Sequence, residues 1–235
     1  LNPRDPATGT RPNPNFLRIT QYETEGHAWY SALLMSLDKR AAARTPGFGI
    51  SYTLAKTIRD VEGFLFLAQD QLNPAAEKSL ATKDPRHQFV GRYTWMMPWD
   101  LQLAGLLQYR SGQPWNVTTG RDNNLDTEQN DRPDLAVPGG NPLDRATYFA
   151  DFTNRVGNLG RNYNTGPSFI SLDARLSKFV TVNRFRIEAF VEAFNLTNKV
   201  NFGTPVGNLR SATFGTSTGI QGNQRQVELG FRLDF

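Results

Sequence analysis

Two stretches of this chain carry residue types whose spacing could support chemistry. "GTSTG" (215–219) puts Ser217 at the centre of a G-x-S-x-G pattern, in which a serine on a strand-to-helix turn attacks a carbonyl. That chemistry needs a helix after the serine and a histidine later in the chain. Both histidines, His27 and His87, come before Ser217, and "IQGNQRQ" makes a poor buried helix. The stretch reads as a flexible Gly/Ser/Thr loop. "DNNLDTEQNDRPD" (122–134) sets Asp122, Asn124 and Asp126 at alternate positions, as oxygen ligands 1, 3 and 5 stand in a calcium loop. Thr127 occupies the glycine position and no glutamate stands at position 12. Calcium is therefore a partial match, set against a solvated surface loop.

Nothing else converges. Two histidines without HExxH make no zinc site, and zero cysteines remove disulfides and thiolate ligands. Glycoside hydrolysis needs two placed carboxylates, and the sequence does not single out a pair from 22 acids. The expectation is a protein that is not an enzyme, with no catalytic residue and no cofactor.

Composition points away from a thick core. Apolar residues are 38% of the 235, below the usual globular share, and mean hydropathy is −0.50. Aromatics reach 11%, with sixteen Phe, which suits rings spread over a surface or girdle. The net charge of +4 comes from scattered Lys and Arg with acids between them, so no nucleic-acid partner is expected. The longest apolar run, "FLFLA" (64–68), is far short of the roughly 20 residues of a spanning helix. The chain begins with Leu1 and shows no basic-then-apolar leader, which suggests a mature product or an excised part of a longer protein.

What recurs is two-residue alternation. Phe48, Ile50, Tyr52 and Leu54 alternate with Gly49, Ser51, Thr53 and Ala55; Ile170, Leu172, Ala174 and Leu176 alternate with Ser171, Asp173, Arg175 and Ser177. The pattern predicts eight strands, at 15–25, 27–40, 47–60, 86–97, 100–117, 168–179, 184–197 and 224–235. Several reach the 9–11 residues that a tilted strand needs to cross a bilayer. Their connections alternate short and long: 41–47, 98–100 and 181–183 against 61–85, 118–167 and 198–223. Tight turns then gather at one rim and long loops at the other, as in outer-membrane barrels. Phe48, Trp95, Trp99, Phe179 and Phe235 lie near the short rim, and Trp29, Phe89 and Trp115 near the long one, as two aromatic belts would. The fold class expected is all-β, an antiparallel up-and-down transmembrane β-barrel segment in the bacterial outer membrane.

The residues also carry a resemblance. "VEAFNLTNKVNFGTP", the opening "RPNPNFLRITQYETEGHAWYSALLMSLDKR", "YRSGQPWNV" followed by "NDRPD", and the ending "RQVELGFRLDF" together resemble the carboxy-terminal barrel of TonB-dependent outer-membrane receptors. The similarity is to the Oar-like branch with a carboxypeptidase-regulatory-like domain, and it covers nearly all of residues 1–235. It implies a ligand-importing receptor with a 22-stranded barrel, a plug domain and the TonB complex as partners. No plug-like segment or TonB box is recognisable here. The chain then reads as the carboxy-terminal portion of such a barrel, with a small passive or structural barrel as the alternative and a soluble all-β binding module as a third. The resemblance further implies outer-membrane lipid and the barrel-assembly machinery as partners. Val227, Leu229, Phe231, Leu233 and Phe235 would form the terminal assembly signal, facing lipid, with Glu228, Arg232 and Asp234 facing the lumen. Asp173, Arg175, Arg186, Glu188 and Glu192 would also face the lumen, pairing across strands or lining a path for substrate.

Overall fold

The computed structural model describes every residue except 1, 3, 6, 7, 43 and 44. Its strands are β1 (Ala28–Lys39), β2 (Gly47–Arg59), β3 (Ser79–Leu80), β4 (His87–Met97), β5 (Leu101–Arg110), β6 (Pro114–Trp115), β7 (Asp134–Leu135), β8 (Tyr148–Phe149), β9 (Asn164–Thr165), β10 (Phe169–Val182), β11 (Phe185–Phe194) and β12 (Gln226–Asp234). Seven are long, and they pair antiparallel in the order β1-β2-β4-β5-β10-β11-β12, with β3 beside β2. β1 and β12 are the edges of this sheet and do not pair with each other. The long strands run alternately up and down, so with seven of them β1 and β12 point the same way.

Register turns the sequence alternation into two faces, because residues opposite each other across a pair share a face. One row runs Met35, Tyr52, Phe89, Tyr109 and Ile170. Another runs Trp95, Leu103, Leu176, Val191 and Leu229. This face is apolar from edge to edge. The other carries Asp38, Gly49 and Arg92 in one row and Ser177, Phe190 and Gly230 in another. Gly49 is needed for space: a Cβ there would stand 2.3 Å from Arg92 Nε and 2.6 Å from Asp38 Oδ1. Its missing side chain lets the Arg92 guanidinium cross β2 to pair with Asp38.

Seven of the eight predicted strands form. Residues 15–25 do not: the segment has no strand and leaves Phe16, Leu17 and Tyr22 exposed. Pro12 and Pro14 precede it, its alternation is loose, and Arg18 is ion-paired with Glu128 in a distant loop. The strand predicted at 100–117 stops at Arg110. Pro114 lacks the N–H a central ladder requires, and Gly112 approaches Gly166 so closely that a Cβ would lie 1.8 Å from its carbonyl oxygen. β10 instead runs on to Val182, leaving a hairpin of Asn183 and Arg184. Of the short turn predicted at 41–47, residues 43 and 44 lie outside the described residues.

Packing is reversed relative to a soluble domain. Apart from Ala55 and Ala81, the buried apolar residues among those described are Trp115, Val117, Tyr148, Leu159 and Phe214. All five lie in the connections 111–168 and 195–225 and form one cluster. Tyr148 meets Phe214 edge-on, with ring centroids 6.0 Å apart. Thr118 and Asn208 form a parallel bridge between the two connections. The core therefore belongs to the long loops, which fold into a cap at one end of the sheet.

Candidate functional site

The cap is tied together by buried charge. Arg132 makes a two-pronged ion pair with Glu77, 2.9 Å from each carboxylate oxygen, and its Nε donates to the Leu159 carbonyl. Glu77 sits on the 3-10 turn Pro74–Glu77 of the connection between β2 and β4. Arg161 donates through Nε to the Glu77 carbonyl and through Nη2 to the Arg59 carbonyl at the end of β2. It also pairs with Glu62 at 3.1 Å. Fork geometry suits arginine to such bidentate contacts. These bonds lock the first two long loops to each other and to the sheet.

Beneath the third loop lies a cavity of about 440 Å³, within the usual range for small-ligand sites. Its floor is the polar face: Gln108 from β5; Phe169, Ser171 and Asp173 from β10; Phe194 from β11; and Gln226 and Glu228 from β12. Its roof is Asn195, Asn201, Gly222 and Asn223. The two buried asparagines hold that roof down. Asn195 ends β11 at φ 47, a left-handed conformation that asparagine tolerates better than most residues. Its Nδ2 donates to the carbonyls of Lys199 and Asn223 at 3.0 Å, joining both ends of the loop. Asn201 accepts from Ile170 N–H and donates to Ile170 O, both at 2.9 Å, as a neighbouring strand would. Sequence reasoning singled out "FNLTN" only as a family signature. The signal for its role was an asparagine immediately after an alternating strand, where the chain must turn.

Residues 2–228 match the family model described as an outer membrane beta barrel domain. The chain belongs to that family. No curated protein and no solved structure matches it. For an outer-membrane barrel the apolar face is the lipid face and the polar face looks into the lumen, so the cavity opens from the lumen side. The protein's place is the bacterial outer membrane.

The predicted site residues can now be located. Val227, Leu229, Phe231 and Leu233 lie on the lipid face of edge strand β12, all exposed, and Phe235 follows with 96% of its surface free. On the lumen face, Arg175 pairs with Glu188 at 2.8 Å and Glu192 at 3.4 Å across β10 and β11, and its guanidinium lies 3.7 Å from the Phe190 ring centroid. Arg232 pairs with Asp234 on its own strand. Arg186 sits over Phe179. Two proposed belt residues belong elsewhere. Phe179 is opposite Glu188 and so faces the lumen, and Trp115 is 2% exposed in the cap core. Proximity in sequence to a rim does not fix which side a ring takes. Phe48, Trp95, Trp29 and Phe89 do fall on the lipid face.

Ser217 donates its hydroxyl to the Gly203 carbonyl at 2.7 Å. His87 is engaged with the Tyr52 hydroxyl and His27 with Asp60. Asp122 accepts from the Asp126 and Thr127 amides, Asn124 from the Asp126 amide, and Asp126 from the Glu128 amide. These oxygens face the backbone of their own turn. No three His, Cys, Asp or Glu side chains among the described residues gather as a metal site. The more perturbed carboxylate is Asp131. Burial pushes it up to about 6 against the amides of Asn123 and Asn124, and the nearby Asp126 and Asp122 push the same way.

Proposed function

We propose that this chain is the carboxy-terminal barrel portion of a TonB-dependent outer-membrane receptor, which captures a ligand at its loop end and moves it across the membrane without covalent chemistry. The observation that carries the reading is the odd count of long strands. An up-and-down wall of seven would have to close by setting β1 parallel to β12, whereas single-chain bacterial barrels have an even number of antiparallel strands. An apolar face that continues onto both free edges supports a wall extended by further strands. The motifs shared with the receptor family support the same reading, and the cap's tied loops suit a preformed ligand-capture surface.

The absence of cysteine makes a clean test possible. Cysteine pairs scanned along β1 and β12 are expected to give no crosslink within one chain in outer membranes. Strong intrachain crosslinking would identify a small closed barrel and reject the receptor-wall reading. For the complete receptor, ligand uptake is expected to stop when TonB is deleted.

A further inference from the structure

Lumen orientation rests on family membership, and the transport role on the reading above; what the cavity binds is a separate matter decided by its unspent groups. Four polar side chains lining it, Gln108, Asn223, Gln226 and Glu228, make no hydrogen bond or ion pair among the described residues, whereas Asn195, Asn201, Ser171 and Asp173 are committed to the frame. Three of the four are amides, which both donate and accept, and the fourth is a carboxylate that only accepts. Phe169 and Phe194 add apolar ring surface. No lysine or arginine lines the cavity. Arg110 is held over the Phe169 ring at 4.4 Å, and Arg175 is engaged by Glu188 and Glu192.

We propose that this cavity binds a neutral, hydroxyl-rich ligand, a saccharide in chemical class. Sugar hydroxyls donate and accept together, which matches amides. Their C–H faces lie well against aromatic rings. An anionic ligand, such as a carboxylate-bearing metal chelate, would meet Glu228 and Asp173 with no lysine or arginine among the lining residues, a costly arrangement away from bulk water. Glu228 accepts from a ligand hydroxyl, and Gln108 and Gln226 fix its orientation from strands on either side of β10 and β11.

The test uses the complete receptor purified in detergent, with heat-modifiable migration confirming the folded state of each variant. Neutral oligosaccharides of glucose, xylose and mannose, the polyamine spermidine, and citrate are titrated by calorimetry. At least one oligosaccharide is expected to bind saturably while citrate does not. Gln226→Ala should weaken that binding roughly three- to tenfold, as loss of a neutral hydrogen bond does. Glu228→Gln, which keeps an acceptor, should weaken it less than tenfold. Arg92→Gln, on the lumen face away from the cavity, should leave it unchanged. Citrate binding, spermidine binding abolished by Glu228→Gln with no oligosaccharide binding, or no binding by any probe would each overturn the proposal. Oligosaccharide binding indifferent to Gln226→Ala would overturn the assignment to this cavity. Binding without TonB-dependent uptake by the complete receptor would reject the transport reading and leave the cavity standing.

Discussion

Glu192 and Glu228 stand directly opposite each other across β11 and β12, and of the two only Glu192 has a cation among the described residues, Arg175 at 3.4 Å. Like charges facing each other across an antiparallel pair are destabilising, on the scale of 0.2–1 kcal/mol. A purely structural hairpin gains nothing from the second carboxylate. Its position on the cavity floor supplies a reason to keep it. Glu228→Gln is therefore expected to raise the urea midpoint of the complete receptor in detergent, by an amount corresponding to about 0.5 kcal/mol. An unchanged or lowered midpoint would mean that Arg175 already neutralises the pair.

The two faces of β12 should respond in opposite ways to a cation. Leu229 lies on the lipid face with 82% of its surface free, and arginine near the bilayer midplane costs roughly 2–4 kcal/mol there. Leu229→Arg is expected to abolish or sharply reduce heat-modifiable barrel in outer-membrane fractions. Glu228→Arg, one residue away but facing the lumen, should insert normally. Equal insertion of both variants would mean that the assigned faces are wrong.

Cap integrity hangs on the Arg132–Glu77 pair, whose side chains are 6% and 1% exposed. Removing one member of a buried pair leaves an uncompensated charge and typically costs 3–5 kcal/mol. Arg132→Ala should accelerate amide exchange throughout 61–85 and 111–165, while strands β10 and β11 keep their protection. Confinement of the change to residues next to position 132 would show that the loops do not behave as one cooperative unit.

Acidity should tighten this cap before it loosens it. An unfolded Asp131 titrates near 3.9, whereas in the folded loop burial holds it at about 6. The folded cap thus binds this proton more tightly than the unfolded loop, and the stability linked to Asp131 is fully present below about 4 and lost as pH rises through about 6. Asp126 is shifted upward by burial as well. Asp134 works in the opposite sense: Arg155 holds its carboxylate down, so its contribution is present above about 4 and falls away in stronger acid. Amide exchange across 122–131, corrected for intrinsic rates, is expected to slow as pH drops from 7 to about 4.5. Asp131→Asn should flatten that dependence.

How much of this was legible beforehand varies with the kind of interaction involved. Seven strands were readable because each must present hydrocarbon to lipid and polar groups to the lumen, and alternation writes that demand into neighbouring residues. Residues 15–25 carry a loose run of apolar residues that resembles a strand, but a strand also needs partners for its N–H groups, and no local pattern supplies them. Trp115 and Phe179 show the same limit for rings: near a rim in sequence, they sit in the cap core and on the lumen face. Arg132, Arg161 and Glu77 carried no signal as a group, since Glu77 and Arg132 lie 55 positions apart and neither belongs to a periodic element.

Local pattern alone determined the strand periods, the two-sided wall and the short–long rhythm of connections, because each of those depends on residues within a few positions of one another. Folding in three dimensions decided the rest: that the sheet has two free edges, that the core lies in the loops, and that four uncommitted polar groups from β5, β12 and the loop before it meet in one cavity whose roof Asn195 and Asn201 hold down. Those facts depend on which distant segments end up side by side, and a long loop's closure is settled by buried polar bonds whose partners are far apart along the chain.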